Sequence, residues 1–192
     1  MYPGSLCYAG GHHITLLPGF CVQALLLLFW QIGRLQKGPE DVPPSTALFG
    51  LLLPVSLLAD LMSSRLGLPG VSSFQLLLIV LVANAGILAL TALLLQMFGY
   101  ARRILQTLSA LLGTSAFISL LALPVLLALQ GRMEDPGGWG MLLLALELWH
   151  LVITAHILRH ALSVSLLLGL MLATGYKLLG YQVVGLFMPP VS

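Results

Sequence analysis

Charge is what this 192-residue chain has least of: Asp, Glu, Lys and Arg make up 7% of it, against 59% hydrophobic residues and a mean hydropathy of +1.04. A soluble fold of this size must cover its surface with charged side chains, and too few are present to do so. The same scarcity argues against nucleic acid as a partner, because a net charge of +2 spread along the chain forms no basic patch. Cysteine is nearly absent as well. Cys7 and Cys21 are too few for a disulfide framework and wrongly spaced for a metal knuckle, so they read as two ordinary thiols or one incidental pair. The sequence contains no phosphate loop, nucleotide fingerprint or zinc-protease motif. No cofactor and no enzymatic activity are expected.

What the chain has instead is long apolar runs. A membrane span needs about 20 mostly apolar residues, and five segments come close to or exceed this: Ser45 to Met62, Phe74 to Tyr100, Ile104 to Gln130, Trp139 to Leu158, and Ser163 to Phe187. The breaks hold the turn and charged residues: Ser63-Ser64-Arg65 with Pro69-Gly70, then Arg102-Arg103, then Gly131 to Gly138, then Arg159-His160. Loops this short predict that consecutive helices are antiparallel neighbours. The expected fold is all-α, a polytopic transmembrane helix bundle over residues 45–188 with the lipid bilayer as its solvent.

Two further regions precede the bundle. Residues 1–13 have no periodicity and many turn formers, so they are expected to be poorly ordered. Residues 14–44 hold an apolar helix and a lead-in with Arg34, Lys37 and the Gly38-Pro39-Glu40-Asp41 turn. Pro18 and Gly19 interrupt the apolar stretch, which reads as an interfacial or partly embedded helix, with a sixth span as the alternative. With no positive charge ahead of the apolar core, it does not resemble a secretory signal. Lys and Arg set the orientation: Arg34, Lys37, Arg102, Arg103 and Arg159 fall on one side, Arg65 and Arg132 on the other. That bias predicts a cytoplasmic location for the first group.

Three of the few charges, Asp60, Glu147 and Lys177, lie inside the apolar spans, where each needs a partner, a wet cavity or a function. A rise of about 1.5 Å per residue places Asp60 roughly 22 Å above the cytoplasmic start of its helix and Asn84 roughly 20 to 24 Å above the end of its own. Glu147 comes out at roughly 18 Å, Lys177 at roughly 21 Å, and Thr114 and Ser115 at roughly 15 to 17 Å. Five helices therefore bring polar groups to one level, forming a candidate layer of Asp60, Asn84, Glu147 and Lys177. The last two helices form a hairpin, which predicts a Glu147–Lys177 ion pair, with Asp60 able to compete for the same ammonium. A structural pair is the preferred explanation, and a proton- or ion-coupled site the alternative.

Glu147 and His150 have the Glu-x-x-His spacing of carboxylate-bridged metal sites, but the second copy that such sites require is missing. No metal is therefore assigned. His156, Arg159 and His160 cluster near the cytoplasmic end, where they read as interfacial anchors suited to the helix dipole and lipid headgroups. Small residues mark packing faces: Ser165, Gly169, Ala173 and Gly180; Ala85, Ala89 and Ala92; Ser109 and Gly113. Pro54 and Pro124 are expected to kink their helices.

Gly113-Thr114-Ser115-Ala116-Phe117, with His156 further on, resembles an intramembrane serine protease of the rhomboid type. Ala116 stands where that family has glycine, and the depths of Ser115 and His156 differ by more than about 10 Å, so the hydrolase ranks last. Gly38-Pro39-Glu40-Asp41-Val42-Pro43 before the first span, and His156-Ile157-Leu158-Arg159-His160-Ala161-Leu162 at the last hairpin, resemble the bacterial branch of the Yip-type (Ypt-interacting-protein-like) family. The likeness runs from about Leu35 to Phe187 by topology. It implies a five-helix protein of the bacterial inner membrane and leaves the activity open. The sequence thus predicts a multi-pass membrane scaffold or interaction protein, with another membrane protein or a second copy as partner. The alternative is a small transporter or channel component built on the polar layer. A water-reached layer favours transport, and a dry, paired one favours the scaffold.

Overall fold

The computed structural model describes residues 18–68, 70–130 and 137–187, with side chains from Gln23 onward. The stretch 1–13 and the charged loop residues 131–136 lie outside it. Six helices follow in order: α1 (Pro18–Gly33), α2 (Thr46–Gly67), α3 (Ser73–Met97), α4 (Ile104–Leu129), α5 (Gly137–Leu162) and α6 (Leu166–Phe187). Short 3-10 turns occupy Pro39–Asp41 and Ala101–Arg103. Among the described residues, α2 to α6 are long and apolar enough to cross a membrane, and α1 is a shorter apolar helix. This is the architecture of a multi-pass membrane protein.

The helix ends follow from local chemistry. Ser45 and Ser72 accept backbone N–H bonds from Leu48 and Gln75, and the Gln75 side chain returns a bond to complete a capping box on α3. Ser165 does the same for α6 through Leu168, so its place in the small-residue series is a cap and not a packing contact. The three helices that run toward the Arg102–Arg103 end, α1, α3 and α5, all close with paired backbone bonds of the Schellman type. Gly99 takes the left-handed position in α3, whereas α1 and α5 use Leu35 (φ 60°) and Ser163 (φ 54°). A side chain in that conformation costs about 1 kcal/mol, and Leu35 is exposed, with little packing to lose. Leu35→Gly is therefore expected to stabilise the protein by about 1 kcal/mol, read as a higher melting midpoint. Pro54 and Pro124 lie within α2 and α4, which run on through them.

Packing departs from the expected order of neighbours. The most extensive contact joins α2 to α4, which run in the same direction, and α3 makes only minor contact with α4. Around the bundle the order is α2, α4, α5, α6, α3 and back to α2, with α3 the one member that shares no extensive contact with any single neighbour. Loop length sets direction but not adjacency: α3 can lie outside the α2–α4 pair and still be joined to both by short turns. The α5–α6 hairpin does follow expectation. Gly169 faces the backbone of α5, and a Cβ there would stand 2.6 Å from the Ala155 carbonyl oxygen. Ala85 and Ala89 on α3 instead face outward.

α1 is set into the bundle and does not lie at its rim. The Phe29 ring occupies the space a side chain at Gly113 would need. Trp30, Phe117 and Trp149 meet edge to face at 6.0 to 6.4 Å. The Trp149 indole N–H donates to the Gly33 carbonyl at 2.8 Å, fixing the end of α1 about 15 Å above the level of Arg159. α1 thus packs against α4 and α5. Its 16 described residues reach about 24 Å, and residues 14–17, which the sixth-span alternative also uses, lie outside the described residues.

Candidate functional site

The lead-in beyond α1 descends beside α5 as irregular backbone, which a membrane protein can accommodate only against protein partners. Polar side chains supply them. His156 is buried and its Nε2 lies 3.1 Å from the Lys37 carbonyl oxygen. The Gln106 amide donates to the carbonyls of Glu40 (3.4 Å) and Val42 (3.1 Å). His160 Nδ1 lies 3.1 Å from Glu40 Oε1, and the two histidine rings are 4.5 Å apart. This corrects the expectation of a headgroup anchor for His156, which is buried; with the partly exposed His160 it clasps the lead-in to α5. Sequence alone could not place the lead-in against this face. Arg159 is half-buried beside Gly169, and Arg103 donates to the carbonyls of His160 and Ala161 at the end of α5.

The four residues of the expected layer do come together. Asp60, Asn84, Glu147 and Lys177 all line one cavity of about 370 Å³, partly open and walled by α2 through α6. Nine of its lining residues are aliphatic, Ile79, Val80, Ile87, Leu111 and Leu112 among them, and its charged groups fall in two hydrogen-bonded clusters.

On the α5–α6 wall, Lys177 Nζ donates to Glu147 Oε2 at 2.5 Å and lies 3.4 Å from His150 Nδ1. The helical spacing of Glu147 and His150 puts both on the face toward α6, so the Glu-x-x-His motif holds an ammonium. The predicted pair is present, and His150 is a further member that the metal question had obscured.

On the α2–α3–α4 wall, Asp60 is surrounded by neutral donors. Ser119 Oγ donates to Oδ1 at 2.7 Å, Ser115 Oγ to the same oxygen at 3.4 Å, and Asn84 Nδ2 to Oδ2 at 3.1 Å. Asp60 thus does not compete for Lys177. It has hydrogen bonds but no counter-charge among the described residues. Ser119 went unnoticed in the sequence, although it lies about 22 Å above Ile104, the level assigned to Asp60, one turn beyond Ser115. Thr114, counted with the layer, turns instead to the carbonyls of Ala110 and Leu111 in its own helix. A third polar contact was also missed: buried Thr91 and Tyr176 meet at 2.9 Å between α3 and α6.

Ser115 and His156 do not meet; one turns to Asp60 and the other to Lys37. His150 shares the cavity with Ser115, yet its Nδ1 faces Lys177.

Compared with protein-family models, with characterised proteins and with solved structures, the chain gives no match. The Yip-type likeness therefore rests on the residues quoted for it.

Proposed function

We propose that the protein is a small membrane transport component that holds its solute in the cavity between α2 and α6. The observation that supports this is the shared, partly open cavity containing the whole polar layer, with Asp60 held by neutral donors and without a cationic partner among the described residues. A scaffold needs only a register-fixing pair, which Glu147 and Lys177 supply. It has no use for a second ionisable group beside a 370 Å³ space. Cavities of this size with an apolar lining and a few convergent polar groups are the usual form of small-ligand sites. α3, which has no extensive contact with any single neighbour, is the element best suited to move. On this reading the protein works in the cell membrane, non-enzymatically, with a small solute as its partner.

Water access tests the proposal. In a background with Cys7 and Cys21 replaced by serine, Ser115→Cys is expected to react with a small, charged thiol reagent added to membrane vesicles. Ala110→Cys, at a position buried to 0% exposure about one and a half turns below on α4, is expected to stay unmodified. If Ser115→Cys proves as inert as Ala110→Cys, the layer is dry and the scaffold with a membrane-protein partner becomes the better account.

A further inference from the structure

The Asp60 cluster has the composition of an ion site, and the charge inventory of the cavity says which kind. Glu147 and Lys177 neutralise each other at 2.5 Å. The donors around Asp60 are two hydroxyls and an amide, none of them charged. One negative charge is left over at mid-bundle, where an uncompensated carboxylate is costly. A single positive charge balances it. A divalent ion would call for a second carboxylate, and Glu147 is already held by Lys177.

The atoms available are all hard oxygens: the Asp60 carboxylate, the Ser115 and Ser119 hydroxyls and the amide oxygen of Asn84. Such a set selects alkali or alkaline-earth ions over transition metals, which favour imidazole or thiolate. Each neighbour can exchange its present role for that of ligand, the serines by rotating their hydroxyl hydrogens and Asn84 by turning its amide oxygen inward. Three helices contribute, so an ion here would tie α3 to α2 and α4. Occupancy and the position of α3 would then be coupled.

We propose that Asp60, Asn84, Ser115 and Ser119 form a binding site for one alkali-metal cation of the sodium class, resting on the reading of the cavity as a transport site. The protein, purified in detergent with choline chloride as its only salt, is melted while sodium chloride replaces choline at constant ionic strength. The midpoint is expected to rise saturably with sodium. Ser119→Ala should raise the half-saturating sodium concentration about tenfold, the loss of one polar contact to a charged group, and Asp60→Asn should abolish the response. If Asp60→Asn does not fold, Ser119→Ala and Asn84→Ala decide the matter. Superimposable sodium and choline titrations would overturn the site, as would a sodium response that survives in Asp60→Asn. A response to pH with none to sodium would give the site to the proton and overturn it equally. Ser115→Cys labelling separates the two readings: a labelled but sodium-indifferent protein keeps the cavity and loses the ion, whereas an unlabelled one loses the transport reading itself.

Discussion

Lys177→Ala is expected to cost the protein about 3 kcal/mol of stability, and adding Glu147→Ala is expected to recover most of that loss. The asymmetry comes from what each substitution leaves behind. Removing the ammonium strands Glu147 at mid-bundle, because His150, its nearest companion in the cluster, faces the nitrogen that has gone. Removing both charges leaves two small apolar side chains in an apolar span. The Lys177 and Glu147 side chains are 30% and 46% exposed, so the pair is not sealed in the protein interior, and the low end of the 3–5 kcal/mol range for broken buried pairs applies. Denaturant or thermal unfolding of the wild type, both single variants and the double variant closes the cycle. A double variant as damaged as the sum of the singles would mean that the 2.5 Å contact is worth nothing to the fold.

That pair marks how far the sequence could be read. Glu147 and Lys177 lie on consecutive helices with a tight turn between them, so counting the helical rise from the hairpin was enough to match their heights. The same counting put Asp60 and Asn84 at one level, and the structure joins them at 3.1 Å. Height, however, carries no information about angular position. Nothing in the apolar runs distinguished a bundle in which α3 follows α2 around the ring from one in which α4 does, because almost every face of these helices is hydrophobic. The partners of Asp60 depended on that choice. With α4 beside α2, Ser115 and Ser119 face the carboxylate; with α3 between them, they could not.

The lead-in was unreadable for a different reason. Apart from Glu40 Oε1 beside His160, its polar contacts to α4 and α5 are made by backbone carbonyls of Gly33, Lys37, Glu40 and Val42, and carbonyls have no signature in a sequence. The side chains that reach them, Trp149, His156 and Gln106, look like ordinary membrane-interface residues until the segment is placed beside them. Charge and height could therefore locate the polar layer, while the clasp that seats α1 against the bundle needed coordinates.

Gly169→Ala is expected to destabilise the protein by about 2 kcal/mol and Gly169→Val by about 3 kcal/mol, far beyond what either substitution does elsewhere on α6. A methyl group at Gly169 would meet the Ala155 carbonyl oxygen at 2.6 Å and the Arg159 Cβ at 3.1 Å. The first is backbone and cannot rotate away, so α5 and α6 must separate. At Gly175 an added Cβ meets nothing within 4 Å, and Gly175→Ala should be neutral or slightly stabilising, since alanine is the better helix former. The damage should also travel. Ala155 lies eight residues beyond Glu147, and Lys177 eight residues beyond Gly169, so both ends of the ion pair stand about 12 Å along the same helices from the contact. Splaying the hairpin at Gly169 lengthens the Glu147–Lys177 contact. The interaction energy between Glu147 and Lys177, measured by the same four-protein cycle in the Gly169→Ala background, should fall below its value in the wild type. Equal melting midpoints for Gly169→Ala and Gly175→Ala would sink the idea that this glycine sets the spacing of the hairpin. A cycle unchanged by Gly169→Ala would show that α6 yields locally and that the pair holds its geometry without help from the packing below it.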